Sequence, residues 1–174
     1  QIEYFGRDPF ANHPGIRLLD ENGDLKPEVL EILDLIKEYD ATVATGHISI
    51  GESIAVCNAA RERGVRTVLT HPDWTCTTVP ADVQTQLVKK GVILEKLWFD
   101  IGINHVTAEY MAQTIRDAGV ENCFMATDRG QSGKEYPVEG LMMFMDAMLD
   151  CGLSVEEIHI MTHENPERVL GLRP

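Results

Sequence analysis

Four short apolar runs, each closing on an imidazole or a carboxylate, constrain this chain most. They are Thr42 to Thr45 before Gly46-His47, Arg66 to Thr70 before His71, Val92 to Leu94 before Glu95, and Cys123 to Thr127 before Asp128. Runs this short, built of Val, Ile, Leu and Thr, read as buried strands. The second is stopped by Pro72, which has no N–H to continue a ladder. From His47 to His71 is 24 residues, from His71 to Glu95 another 24, and from Glu95 to Asp128 33. Each interval holds one helix-like stretch, which is about what a right-handed crossover between parallel strands requires. The expectation is an α/β chain of parallel βα units. Its four strands end on His47, His71, Glu95 and Asp128, at the end of the sheet where such proteins gather their chemistry.

The intervening helices carry their own signals. Pro27 opens one that runs to about Tyr39, with Val29, Leu30, Ile32, Leu33 and Ile36 at helical spacing. Ser49 and Glu52 have capping-box spacing for a second, which stops at Gly64. Pro80 opens a third that closes at Gly91, and Thr107 caps a fourth that ends at Ala118 before Gly119. Pro137 opens a Met-rich helix whose Leu141, Phe144, Met145, Met148 and Leu149 read as core. Ser154 and Glu157 form a second capping box, and Asn165-Pro166 starts a last short helix. Lys96 to His105 and Arg129 to Lys134 read as loops. Residues 1–25, broken by Gly6, Pro9, Pro14, Gly15 and Gly23, read as an irregular arm. The chain, 1–174, is thus expected to be a single domain, with the arm at 1–25 and the βα units and closing helices at 26–174.

A formal charge of -13 argues against a nucleic-acid or anionic-membrane partner, since neither surface attracts an acidic chain. Small molecules are the expected partners. No apolar run reaches the roughly 18 residues of a membrane span and no secretory segment opens the sequence, so a cytoplasmic protein is expected. Cys57, Cys76, Cys123 and Cys151 make no CxxC pair and read as reduced thiols, with Cys76 nearest the strand ends. Neither GxGxxG nor a Walker sequence occurs, which leaves a nucleotide role unsupported.

Two imidazoles and a carboxylate on neighbouring strand ends suit a divalent ion, zinc first, because neutral His and carboxylate are its ligands. Such an ion makes water acidic enough to attack at neutral pH, and Asp128 is placed to take the proton and hand it to a leaving group. Glu95 has the chemistry to serve the site or substrate, or else to pair with Lys96 or Arg66. Arg129 and Lys134 are offered to a substrate carboxylate. Trp74 and Trp98 are candidates for an apolar wall, and His13 and His105 lie in loops that approach the strand ends. His159 and His163 are four apart on a helix without the Glu of a zincin motif, and read as surface or packing residues.

Thr-Gly-His47, Thr-His71-Pro72, Ala-Thr-Asp128 and the closing run Glu164-Asn165-Pro166-Glu167-Arg168 together resemble the later half of a metal-dependent hydrolase of the amidohydrolase superfamily. The resemblance covers about 26 to 174 and rests on the set of short motifs in order. It implies the later half of a TIM-type (βα)8 barrel, with the strand 1–4 region absent from this chain. His47 and His71 would be metal ligands, Asp128 a ligand that also acts as base, and the Asn-Pro-Glu-Arg helix a plug at the barrel bottom. The implied reaction is hydrolysis of an amide, ester or lactone bond by metal-activated water. The family's strand-one His-x-His pair has no counterpart here, so the site would be incomplete in this chain. Its open sheet edges would be covered by the missing N-terminal half, by a partner chain or by another copy in a homo-oligomer. The start at Gln1 fits a longer translation product. A metal-dependent decarboxylase of the same superfamily, and a four-stranded doubly wound α/β module serving binding or assembly, are the alternatives.

Overall fold

A computed structural model of the chain describes residues 15–74, 77–102 and 106–172. Its elements alternate as the spacing predicts. Helix α1 (Pro27–Glu38) leads into strand β1 (Thr42–Ala44), α2 (Ile50–Glu62) into β2 (Arg66–Leu69), and α3 (Ala81–Val88) into β3 (Ile93–Leu97). A 3-10 turn (Trp98–Asp100) and α4 (Ala108–Ala118) precede β4 (Cys123–Ala126), and α5 (Pro137–Asp150) follows it. Pro27 and Pro137 sit in the first turns of their helices, where a missing N–H costs nothing. Ser49 caps α2 with the full reciprocal box, its hydroxyl accepting from the Glu52 amide while the Glu52 carboxylate takes the Ser49 N–H.

The strands form one parallel sheet in the order β1-β2-β3-β4. Thr42 lies opposite Arg66, Val68 opposite Ile93, and Leu94 to Leu97 opposite Cys123 to Ala126. The order contains no reversal. Right-handed crossovers therefore lay every connecting helix on one face, and the doubly wound arrangement, which needs a switch point, is corrected. The core sits on that helical face: Leu69, Leu94, Cys123 and Met125 of the strands pack with Cys57, Leu87, Met111, Ile115, Phe144 and Met148 of the helices. A smaller cluster of Leu33, Ala59, Ala60 and Val65 seats α1. Phe144 and Met148 are fully buried, as the core reading of that helix expected, whereas Leu149, also read as core, is 36% exposed on the outer side of the helix end, and Met142 and Met143 are exposed.

Two expectations are corrected. The third strand does not stop at Glu95 but continues through Lys96 and Leu97, where pairing with Met125 and Ala126 holds it. Lys96 read as a loop residue because an ammonium is costly in a buried strand. Here it is wholly buried because Asp73 neutralises it. The described part of the arm is not irregular either: Leu19 and Leu25 form an antiparallel bridge around the turn at 21–24, and the Leu18 N–H donates to the Glu52 carboxylate at 2.8 Å.

The closing helices work at the opposite end of the sheet. Helix α6 (Val155–His159) passes through a π turn (Ile160–Glu164) into α7 (Asn165–Val169). Pro166 explains the wide turn: it offers no N–H to the Thr162 carbonyl, and the Asn165 N–H instead reaches back five residues to Ile160 O. The buried Asn165 amide donates to Val120 O and Cys123 O at 2.8 and 2.6 Å, at the start of β4. Thr42, at the start of β1, donates its hydroxyl to Val169 O. The C-terminal helices thus close the amino ends of the strands and leave the carboxyl ends to the connecting loops.

Candidate functional site

Beyond the last paired residues of β1 and β2 the chain turns sharply, and the two turns bring His47 and His71 together. Gly46 takes a φ of 60° before His47, and its N–H donates to the Thr70 hydroxyl at 3.0 Å. The Thr70 N–H donates in turn to the Thr45 hydroxyl, so the two strand ends are laced by side chains where the ladder stops. The His47 and His71 Nε2 atoms stand 2.7 Å apart, with ring centroids at 4.6 Å. His47 is exposed and His71 is buried. Trp74 lies against both rings, its centroid 5.4 Å from His47 and 5.2 Å from His71, and so forms the aromatic wall of the pair.

His71 and Asp128 share a backbone feature. Among the described non-glycine residues only Asp40, His71 and Asp128 have positive φ, at 50°, 25° and 48°. That region costs a residue with a Cβ about 1–3 kcal/mol, and such strain concentrates at functional sites. Two of the three residues are strand-end positions singled out by their chemistry. The strain at His71 is held from below: its N–H donates to the Glu95 carboxylate at 3.2 Å. Glu95 therefore pairs with neither Lys96 nor Arg66, which bind Asp73 and Asp40 respectively. It lies inside β3, two residues short of that strand's end, on the face that also presents Phe124 opposite it.

The surroundings set the charge states. Burial pushes the His71 imidazole below its ordinary range, with His47 adding to the effect and Asp128 opposing it. Burial raises the Glu95 carboxyl, and Asp128 adds to that. Asp100, in the 3-10 turn, is 1% exposed, and neither of its carboxyl oxygens has a hydrogen-bond partner among the described residues. Burial pushes it up to about 8, with Asp73 adding and Lys96 opposing. Glu95, Asp100 and Asp128 thus act on one another through their charges, while Lys96 is committed to Asp73.

Arg129 is held within the protein: its Nε is bound to the Glu135 carboxylate, its guanidinium lies 5.4 Å from the centre of the Phe99 ring, and its side chain is 9% exposed. Arg129 in turn holds the Glu135 carboxyl down at about 2. Trp98 joins that cluster, donating its Nε1–H to Glu135 and packing on Phe144. Lys134 stays exposed in its loop. His159 and His163 are exposed and face Glu164 and Glu167 at 3.9 and 3.6 Å. A surface cavity of about 490 Å³ beside Val155, Glu156 and His159 includes no strand-end residue. His13, Cys76 and His105 lie outside the described residues, and Cys57, Cys123 and Cys151 are free thiols.

Three residues that the sequence pattern did not single out support the site. The Lys96 ammonium donates to Asp73, Gln84 and Thr114 at 2.7, 3.0 and 3.1 Å, which uses all three of its protons. Asp73 lies two residues beyond His71, so this buried pair ties the loop after β2 to β3. Thr77, in the same loop, contacts His71 twice, at Nδ1 (2.9 Å) and at the carbonyl oxygen (2.8 Å). A lysine followed at once by Leu97-Trp98-Phe99 was a usable signal for the ion pair; Thr77 had none.

The fit to a divalent ion can be judged from the donors. Two imidazole nitrogens face each other, a donor type that suits zinc. Two nitrogens on one tetrahedral zinc stand about 3.3 Å apart, so the rings must part by roughly 0.6 Å to share an ion. Among the described residues no group of three or more His, Cys, Asp and Glu side chains is arranged to hold a metal ion. Asp128 acts on His71 through its charge. The pair thus supplies two nitrogen donors of the type zinc takes, two short of a tetrahedral set. Among the described residues no helix is long and apolar enough to cross a membrane.

Residues 1–95 match the family DUF6282, described as a family of unknown function, and the chain belongs to that family. The matched span includes His47, His71, Thr77 and Glu95 and ends before Asp128. No curated protein and no solved structure matches the chain.

Proposed function

We propose that this DUF6282 protein is a metal-dependent hydrolase of the amidohydrolase type. It would be the later half of a (βα)8 barrel that cleaves an amide, ester or lactone bond of a small molecule. The observation that carries the reading is the meeting of His47 and His71 Nε2 atoms at 2.7 Å, beyond adjacent parallel strands of a sheet with no order reversal. Sequential strand order and helices on one face are barrel traits, and barrels carry their chemistry at the carboxyl ends of the strands. Both edges of the sheet, β1 and β4, are where the remaining strands would join, whether from the same polypeptide, a partner chain or a second copy.

His47 and His71 would hold the ion, zinc first, with Asp128 as the third ligand from this chain and further ligands from the completing half. A divalent ion so held supplies water acidified to a pKa of about 7 and polarises the scissile carbonyl. Asp128 takes the proton of the attacking water and returns it to the leaving group. Glu95 keeps His71 on its strained turn, and Trp74 lines the substrate side.

Turnover of a panel of amides, esters and lactones by the protein from its full coding sequence tests the reading. Asp128→Asn is expected to lower kcat about 10²- to 10⁴-fold on the accepted substrate with the fold retained. A variant with undiminished kcat would remove Asp128 from the chemistry.

A further inference from the structure

We infer that Thr77 is the positioning residue of the strand-end pair: it fixes His71 in the tautomer with its proton on Nδ1, so that an Nε2 lone pair faces His47. The inference follows from counting hydrogens. Thr77 Oγ1 lies 2.8 Å from the His71 carbonyl oxygen and 2.9 Å from His71 Nδ1. A carbonyl only accepts, so the single hydroxyl hydrogen of Thr77 goes to it. The hydroxyl has lone pairs left for the ring, and the contact at Nδ1 is a hydrogen bond only if Nδ1 carries the proton. The neutral ring then keeps its lone pair on Nε2, the atom 2.7 Å from His47 Nε2. That contact requires one proton as well, and it resides on His47.

The arrangement is built to persist. Thr77 and His71 are each 5% exposed, which keeps water from replacing either bond. The Thr77 N–H donates to Trp74 O at 2.9 Å, and the Val79 N–H donates to Pro72 O at 2.8 Å. Gln84 bridges Val79 O and Asp73, and Asp73 is fixed by Lys96. The two histidines are therefore unequal. His71 already offers Nε2 as a donor, whereas His47 must release its Nε2 proton to solvent and take one up on Nδ1, with no net change in protons. The role given to this tautomer rests on the hydrolase reading, but the tautomer itself does not.

Nitrogen-15 NMR of the imidazoles in the metal-free protein at neutral pH tests it, with His71 assigned by its loss in His71→Gln. The wild type is expected to show a protonated Nδ1 and an unprotonated Nε2 on His71. Thr77→Val should shift that ring towards the other tautomer and weaken zinc binding, measured by calorimetry, about 10- to 100-fold, and Thr77→Ser should restore both. A wild-type His71 protonated on Nε2 overturns the inference, as does a folded Thr77→Val protein with unchanged tautomer and zinc affinity. If Thr77→Val does not fold, the wild-type and Thr77→Ser spectra decide the matter. A wild type with the expected tautomer that binds no zinc would uphold the role of Thr77 and overturn the metal reading alone.

Discussion

His71 carries three constraints at once: a positive φ, a backbone N–H taken by Glu95, and a ring fixed at one nitrogen by Thr77 and met at the other by His47. Asp100 is the complementary case, a buried carboxyl with nothing to bond among the described residues. Its folded value of about 8 lies above its ordinary 3.8, so between those values the native state holds a proton that the unfolded chain releases. Stability should therefore fall as pH rises through that window. Urea unfolding at pH 5 and pH 8.5 should show a loss above about 1 kcal/mol in the wild type and a smaller one in Asp100→Asn. Parallel pH profiles would contradict the assignment. At this scale the sequence made His47, His71 and Asp128 legible because they recur at one place in a repeating unit. Asp100 and Thr77 were not legible, since their roles come from contacts across loops that no periodicity encodes.

The elements formed where local chemistry named their ends. Pro27, Ser49, Thr107, Pro137 and Ser154 each begin or cap a helix as their residue types require. The misreading of β3 has a definite cause: Glu95-Lys96 looks like the end of an apolar run, and only tertiary pairing of Lys96 with Asp73 keeps the strand going. The buried Asn165 amide supplies two of the bonds that hold the closing helix. Asn165→Ala would leave the Val120 and Cys123 carbonyls without their amide donor, and a loss of about 1–3 kcal/mol is expected in thermal or urea unfolding. A change within about 0.5 kcal/mol would show that water replaces the amide.

On the scale of the whole molecule, β1 and β4 are the edges of the sheet among the described residues, the connecting helices lie on one face, and the amino ends are closed by the C-terminal helices. Parallel order was legible from the 24-residue spacing, because a crossover helix sets that length; the absence of a switch point was not, because either winding gives the same spacing. The proposed function requires that His47 and His71 share a divalent ion. Elemental analysis of the protein purified from its full coding sequence, beside His47→Ala and His71→Ala, tests it most directly. Near-stoichiometric zinc or another divalent metal in the wild type, lost in both variants, is the predicted result. A folded, monodisperse wild type that carries no metal even after incubation with zinc would contradict the account.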